Sequence, residues 1–230
     1  MTTLLIPAYS AAAADELEEV AIPANLDSLE SFRRWANSDA YPETGRYSWL
    51  QGQLLVDVAM EELFRHSQLK LAVQFALEEW NRAQRRGYVF PDGARLTHPG
   101  VDLSVEPDAV FTSYESVRQG RVQLIMGEAG DLVELEGSPE LVVEIVSRSS
   151  VKKDKKTLRK LYWQAGVGEY WLIDARREPV SFEILRSGSR GYLAAPRRDG
   201  CPVSRVLDGP VKLTSEVDPL GHPQWRVHLL

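Results

Sequence analysis

The stretch Leu141-Val142-Val143-Glu144-Ile145-Val146 decides the fold, because it is apolar throughout except for one carboxylate. Such a run is typical of a central strand that is buried on both faces of a sheet. Burying a lone carboxylate costs several kcal/mol unless the group is paired, protonated or bound to a metal. Glu144 therefore has either a structural partner, such as an arginine or water at a strand edge, or a functional one.

The chain after this strand changes to helical periodicity and then returns to strands. Residues 154–166 predict an amphipathic helix that begins near Asp154 and ends at Gly166. Residues 170–173 predict a second apolar strand, and residues 180–184 alternate as a half-exposed strand does. The apolar face of the helix is marked by Leu158, Leu161, Tyr162 and Ala165.

A second carboxylate upstream has a similar placement. Asp108 follows Pro107 and opens the short apolar strand Asp108-Ala109-Val110-Phe111. Two carboxylates from neighbouring strands can hold a hard divalent cation such as Mg²⁺. Such an ion polarises a phosphodiester and lowers the pKa of a bound water. Asp108 and Glu144 are therefore the candidate metal ligands.

The remaining pattern predicts one domain with a mixed sheet flanked by helices. Residues 29–36 and 63–80 have helical spacing, and residues 53–58 and 88–90 have strand composition. Pro91-Asp92-Gly93 is interpreted as a turn, and residues 113–138 give no clear pattern. We expect a flexible tail over 1–26, the main domain over 27–190, and peripheral strands and loops of that domain over 191–230.

Composition limits the function classes. The formal net charge is -6, which argues against a dominant basic surface, and no apolar run is long enough for a membrane span. The single cysteine fits a reducing compartment, so we expect a cytoplasmic protein. The densest cationic cluster begins after Glu144 with Arg148, and its lysines are predicted to be exposed and to face phosphate: Lys152, Lys153, Lys155 and Lys156.

The stretch from Pro139 to Asp174 resembles the Uma-two family of endonucleases. Upstream, Pro107-Asp108 matches the proline–aspartate element of that family, and His66 matches the histidine that opens its long helix. The similarity covers residues 30 to 190. The shared motifs are Pro139-Glu140-Leu141-Val142-Val143-Glu144-Ile145-Val146-Ser147, then Ser149-Ser150, Asp154 and Tyr162, then Ala165-Gly166-Val167-Gly168-Glu169-Tyr170-Trp171-Leu172-Ile173-Asp174, with Tyr47 and Gly52 near the start.

This resemblance implies the α/β restriction-endonuclease-like fold, with a mixed central β-sheet flanked by α-helices. Enzymes of that fold use an aspartate, a glutamate on the next strand and a lysine, usually at the position that is Val146 here. The family is similar to cases in which the lysine lies on the following helix, where this chain has Leu158. The candidates that would replace this lysine are Lys153, Lys155 and Lys156.

Two functional hypotheses follow. The first is a metal-dependent nuclease that hydrolyses phosphodiester bonds in DNA, in which Asp108, Glu144 and the carbonyl of Ile145 hold Mg²⁺ or Mn²⁺ and a lysine steadies the phosphate. The second is a non-catalytic binding or assembly module on the same fold. Retention of both carboxylates favours the first, and the absent lysine favours the second. A homodimer is compatible with either hypothesis.

Overall fold

The computed structural model describes residues 2–6, 18–42 and 44–230 and shows a mixed α/β architecture. Two helices begin with a wider π-helical turn, over Leu63–Ser67 and Lys153–Leu158. A short 3-10 turn covers Pro99–Val101. The α-helices are α1 (Leu29–Ala36), α2 (Gln68–Gln84), α3 (Tyr114–Arg118) and α4 (Arg159–Gln164). None of the helices in these residues is long and apolar enough to cross a membrane.

The strands divide into an N-terminal and a C-terminal group. The first group is β1 (Thr2–Ile6), β2 (Glu18–Ile22), β3 (Arg46–Leu50), β4 (Gln53–Asp57), β5 (Gly87–Pro91), β6 (Arg95–His98), β7 (Leu103–Val105), β8 (Ala109–Ser113), β9 (Val122–Met126) and β10 (Leu132–Gly137). The second group is β11 (Leu141–Ile145), β12 (Glu169–Asp174), β13 (Ser181–Gly188), β14 (Gly191–Ala194), β15 (Arg197–Arg198), β16 (Cys201–Ser204), β17 (Gly209–Val217) and β18 (Pro223–Leu229).

The central sheet has the strand order β14-β13-β12-β11-β8-β5. β11 pairs parallel with β12 and antiparallel with β8, so the sheet is mixed, as the sequence predicts. All five residues of β11 are buried, because the strand lies inside the sheet and both of its faces are covered. The predicted central strand is therefore confirmed.

The two faces of the central sheet carry different layers. One face packs against α2 and the C-terminal hairpin β17–β18, through side chains that include Val143, Leu69 and Trp225. The other face packs against α4 and against strands of a second sheet, of order β4-β3-β7-β6-β10-β9, through side chains that include Val142 and Leu161. The alternation of side chains along a strand sends odd-numbered residues of β11 to the first face and even-numbered ones to the second.

The C-terminal hairpin supports the start of α2. The indole Nε1–H of Trp225 donates a hydrogen bond to the carbonyl oxygen of Phe64 at 2.6 Å. The ring of Phe64 stacks on that of His222 with centroids 3.9 Å apart. These contacts fix the π-helical turn that precedes α2.

Several regions differ from the pattern-based prediction or lie beyond it. Residues 113–138, which gave no clear pattern, form α3, β9 and β10. Strands β3, β6 and β7 were not predicted, and neither was the antiparallel pair β1–β2 within the expected tail over 1–26. The rest of that tail, apart from residues 23–26, lies outside the described residues. The division at 26 and 190 stays a prediction.

Candidate active site

Backbone pairing brings the two predicted carboxylates together. Val143 of β11 lies opposite Ala109 of β8, and one further step in this antiparallel register places Asp108 beside Glu144. The amide of Ile145 donates a hydrogen bond to Asp108 Oδ2 at 2.6 Å. Asp108 and Glu144 are each only 3% exposed. The pair therefore occupies a buried point at the end of two neighbouring strands.

Glu144 has a hydrogen-bond donor but lies in an acidic environment. The hydroxyl of Tyr162 donates to Glu144 Oε1 at 2.6 Å. Burial raises the pKa of the Glu144 carboxyl well above its usual range, and the charges of Asp154 and Asp108 raise it further, whereas Lys153 opposes the shift. Within the described part of the chain, the hydrogen-bond partner of Glu144 is thus a tyrosine and not an arginine.

Lys153 is the predicted lysine that reaches this centre. Its Nζ lies 3.6 Å from Asp154 Oδ1. Burial lowers the pKa of this ammonium, but the charges of Glu144 and Asp154 outweigh burial and the pKa is raised. Asp154 is itself buried and accepts a hydrogen bond from the Ser150 hydroxyl. Burial raises the pKa of Asp154 to about 6.

The other two predicted lysines do not join the centre. Lys155 Nζ lies 2.5 Å from Asp174 Oδ2, so this ammonium is used at the end of β12. Lys156 is exposed and forms no ion pair with any residue that the structure describes. The prediction that all four lysines are exposed is wrong for Lys153, whose side chain is 19% exposed because buried carboxylates attract it. The side chain of Lys155 is 39% exposed but is paired with Asp174. A phosphate-facing role for these lysines stays a prediction.

Asp108 is compensated by cations that the sequence analysis did not identify. Lys70 of α2 places its Nζ 3.3 Å from Asp108 Oδ1, and its side chain is only 8% exposed. The same ammonium donates to Glu61 Oε1 at 2.7 Å and to Asp92 Oδ2 at 2.8 Å. Arg46 also donates to these two oxygens, and its NH1 lies 3.8 Å from Asp108 Oδ1. Lys70 and Arg46 thus hold three carboxylates in one cluster.

The structure gives Asp92 a second role besides the predicted turn. The turn predicted at Pro91-Asp92-Gly93 is present, with Pro91 as the last residue of β5. The carboxylate of Asp92 nevertheless reaches the cluster around Lys70, so this aspartate is more than a turn residue. The overlooked signal was Lys70 itself, since a lysine on the apolar stripe of a predicted helix needs buried anionic partners.

His66 links the cluster to the backbone of β11. Its Nε2 lies 2.8 Å from the carbonyl oxygen of Ile145, and its Nδ1 lies 3.2 Å from Glu61 Oε2. Burial lowers the pKa of this imidazole, but the hydrogen bond to Glu61 and the charge of Asp108 prevail and the pKa is raised. With both ring nitrogens facing acceptors, the doubly protonated form satisfies both contacts. His66, matched above to the family's histidine, therefore lies at the centre.

The comparisons with known proteins identify the family. The model of the family described as "Uma2: Putative restriction endonuclease" matches residues 29–207. The chain belongs to the Uma2 family. No curated protein matches the chain.

A solved structure shows the same fold as this Uma2 chain. It is from Anabaena variabilis ATCC 29413 and is described as "a putative nuclease belonging to DUF820". The two share 17% sequence identity with a TM-score of 0.58, over 79% of this chain and 90% of the other. At this identity the likeness shows the fold alone. The predicted family and fold class are both confirmed.

In this Uma2 chain the predicted residues Asp108, Glu144, Ile145 and Lys153 lie together beside a groove, whereas Lys155 and Lys156 lie apart from them. Among the described residues, no three His, Cys, Asp or Glu side chains are arranged so as to hold a metal ion by themselves. A groove of about 940 Å³ adjoins the centre and shares three of its residues, Arg46, Glu61 and His66. Val146, which follows directly on the predicted ligand Ile145, lines the same groove.

Proposed function

We propose that the chain is a metal-dependent nuclease that hydrolyses phosphodiester bonds in DNA. Asp108, Glu144 and the carbonyl oxygen of Ile145 would hold one divalent cation, Mg²⁺ or Mn²⁺. The observation that carries the proposal is the pair of buried carboxylates on adjacent strands, with the ammonium of Lys153 beside them. Membership of a family of restriction-endonuclease-like proteins supports the reaction class.

The residues present fit a hard cation. Asp108, Glu144 and Asp154 are all buried, and each charge raises the pKa of a neighbour, so the centre favours added positive charge. Among the described residues, Asp154 Oδ1 is buried and accepts no hydrogen bond, and its ion pair with Lys153 Nζ, at 3.6 Å, is longer than a hydrogen bond. Mg²⁺ is usually bound through one or two carboxylates and several waters, so a site with only two acidic ligands suits it.

The Ile145 carbonyl remains able to act as a ligand although it faces His66. A backbone carbonyl oxygen has two lone pairs, and the contact with His66 Nε2 at 2.8 Å uses one of them. The imidazole also fixes the direction of this carbonyl. The contact therefore positions the third oxygen without excluding a cation.

The side chains around the candidate metal site would each have a separate role in the reaction. A bound cation would polarise the phosphodiester and lower the pKa of a water. Lys153 would stabilise negative charge that develops on the phosphate, as preorganised cations do in buried sites. Tyr162 orients the Glu144 carboxyl through its hydrogen bond. Lys70 and Arg46 lie 3.3 and 3.8 Å from Asp108 Oδ1 and position this carboxylate beside it.

The test is cleavage of plasmid and single-stranded DNA in Mg²⁺, in Mn²⁺ and in excess chelator. We expect cleavage only with metal, and a loss of at least about 100-fold for Glu144→Gln or Lys153→Met, the scale on which one charge-stabilising group contributes. Glu79→Gln and Lys160→Met change exposed residues of the same types and serve as matched controls, prepared identically to exclude a contaminating nuclease. Equal cleavage by Glu144→Gln and the wild type would refute the proposal.

Metal binding is measured separately from cleavage. Calorimetric titration with Mn²⁺ should give one site in the wild type, and this site should be lost in the Asp108→Asn/Glu144→Gln double variant. The Glu79→Gln control should bind as the wild type does. Identical titrations for the wild type and the double variant would remove Asp108 and Glu144 as ligands, whatever the activity.

A further inference from the structure

The groove beside the candidate centre is lined by the segment before α2 on one side and by the turn after β11 on the other. Apart from His66, its basic lining residues are all arginines, and the described residues that line it include no lysine, phenylalanine, tyrosine or tryptophan. The arginines are Arg46, Arg65, Arg148 and Arg176. A guanidinium presents a planar set of donors that matches a phosphate better than an ammonium does. The composition of the groove thus favours a ligand with phosphate groups.

The three acidic residues that line the groove are each engaged by hydrogen bonds within the protein. Asp57 accepts hydrogen bonds from the Ser149 hydroxyl at 2.8 Å and from the Ala59 amide at 3.0 Å. Glu61 is bound by Lys70, as described above. Glu62 caps the π-helical turn by accepting from the amide of Arg65. Cations therefore compensate the charge of Glu61, whereas uncharged donors hold the carboxylates of Asp57 and Glu62 in place.

Arg148 is the basic residue of the groove that has no anionic partner within the described part of the chain. Arg176 forms a two-pronged pair with Asp174, with both N–O distances 2.8 Å. Arg65 donates to the carbonyl of Ala175 and to Glu178. Arg148 is exposed and lies four residues after Glu144, between two serines that also line the groove. Its guanidinium is thus available to an external anion close to the candidate centre.

The opposite wall is apolar and exposed. Met60 is 98% exposed and Val58 is 53% exposed, and both line the groove with Ala59 between them. In a duplex the faces of the bases are covered by stacking, whereas in a single strand they are free to contact side chains. A wall of this kind favours unpaired bases over a duplex.

We propose that this groove binds a short stretch of single-stranded DNA, with Arg148 on a phosphate and Met60 against a base. The volume of about 940 Å³ lies within the range of small-ligand pockets, roughly 300–1,000 Å³, and so suits a short stretch of a strand. This proposal rests on the nuclease function and specifies its substrate. The strand would lead directly to the candidate metal ligands, since Arg46 and His66 line the groove and contact them.

Binding is measured by fluorescence anisotropy in excess chelator, with a labelled single-stranded oligodeoxynucleotide and its duplex over a salt series. The wild type should bind the single strand more tightly. Arg148→Gln should weaken this binding about tenfold and reduce the slope of log affinity against log salt by about 0.7, the value for one phosphate contact on a single strand. Arg190→Gln, at an exposed arginine in the turn before β14, is the matched control and should change neither.

A second measurement tests Met60 with 2-aminopurine placed at successive positions of the oligonucleotide. Unstacking by the wild type should increase the fluorescence at one position, and Met60→Ser should abolish the increase. Leu220→Ser changes a similarly exposed apolar residue far along the chain and should leave the signal intact. No fluorescence change at any position in the wild type would refute the role of Met60.

Cleavage of a small phosphodiester, bis(4-nitrophenyl) phosphate, separates this proposal from the proposed function. Arg148→Gln should raise the KM for single-stranded DNA by a larger factor than the KM for the small diester, and Glu144→Gln should abolish cleavage of both. If Glu144→Gln has these effects but Arg148→Gln binds and cleaves DNA as the wild type does, the nuclease function stands and the groove proposal is wrong. Equal affinity for single strand and duplex would also overturn it.

Discussion

Replacing Glu144 by glutamine should stabilise the metal-free protein. The carboxyl is 3% exposed and its pKa is raised mainly by burial, so ionising it in the fold is unfavourable. The glutamine side chain would keep an oxygen that accepts the 2.6 Å hydrogen bond from Tyr162 while removing the charge. The change therefore isolates the electrostatic cost from the packing of the side chain.

The size of the effect follows from the neighbouring carboxyl. The pKa of Asp154, about 6 against an ordinary 3.8, corresponds to roughly 3 kcal/mol at 1.36 kcal/mol per pKa unit. Glu144 experiences the same kind of burial, but the Glu144→Gln variant would also lose the attraction to Lys153. We expect a net gain of about 1–3 kcal/mol at neutral pH, the scale of removing an unfavourable buried charge.

The pH dependence gives the sign of this effect. A raised pKa in the folded state means that folding takes up a proton, so the contribution of Glu144 is most favourable below its unfolded pKa and is lost as pH rises through the folded value. The wild type and Glu144→Gln should therefore be equally stable near pH 4. The gap should open in favour of the variant toward pH 8.

The assay is urea unfolding in excess chelator at several pH values, with Glu79→Gln as an exposed control. Adding Mg²⁺ should reverse the order, because a ligand at 100 times its Kd stabilises the protein that binds it by about 2.7 kcal/mol. A Glu144→Gln variant that is less stable than the wild type at neutral pH in chelator would refute the reasoning. Glu144 would then be a structural ion-pair member.

Three further substitutions test other parts of the centre. Lys70→Met should lower the free energy of unfolding, measured in urea, by about 3 kcal/mol. This value is near the lower end for breaking a buried ion pair, because the second cation, Arg46, remains in the cluster. The control Lys212→Met, at an exposed lysine, should have little effect. His66→Gln should flatten the pH dependence of the free energy of unfolding. Because the pKa of His66 is raised in the folded state, the stabilisation by His66 is present below pH 6.5 and is lost as pH rises through the folded-state pKa. An unchanged profile would contradict the His66 contacts. Tyr162→Phe should lower the free energy of unfolding by about 1–2 kcal/mol, because it removes the hydrogen-bond donor to Glu144. It should also raise the pKa of the Glu144 carboxyl further, which carboxyl NMR measures. An unchanged pKa would show that this hydrogen bond does not stabilise the carboxylate.

The central strand and the two carboxylates were predictable because their signals are local. An apolar run with one acidic residue marks β11 and Glu144 in any context, and a proline–aspartate step before an apolar strand marks Asp108. Pairing of β8 with β11 then follows from the fold that the family resemblance implies. These features needed no knowledge of distant contacts.

The cluster around Asp108 was not predictable in the same way, because its members are distant in sequence. Arg46 and Asp92 lie far apart along the chain and are in direct contact in the fold, where α2 brings Lys70 to the same carboxylate oxygen of Asp92. The choice among the three lysines depended on the π-helical turn at Lys153–Leu158, whose i→i+5 hydrogen bonds change the direction of successive side chains. Neither effect follows from hydrophobic periodicity.

The hydrogen bond from Trp225 to the carbonyl of Phe64 ties the thermal stability of the candidate centre to the C-terminal hairpin. The hairpin β17–β18 lies beyond residue 207, where the family match ends, yet it holds the turn on which His66 and the start of α2 are built. The temperature up to which the candidate centre keeps its geometry then depends on the hairpin β17–β18, which contributes no residue to that centre. A chain cut after residue 207 would keep every group of the centre and still lose its alignment at lower temperature than the intact chain. Differences in this hairpin between relatives would tune heat tolerance and leave the reaction itself untouched.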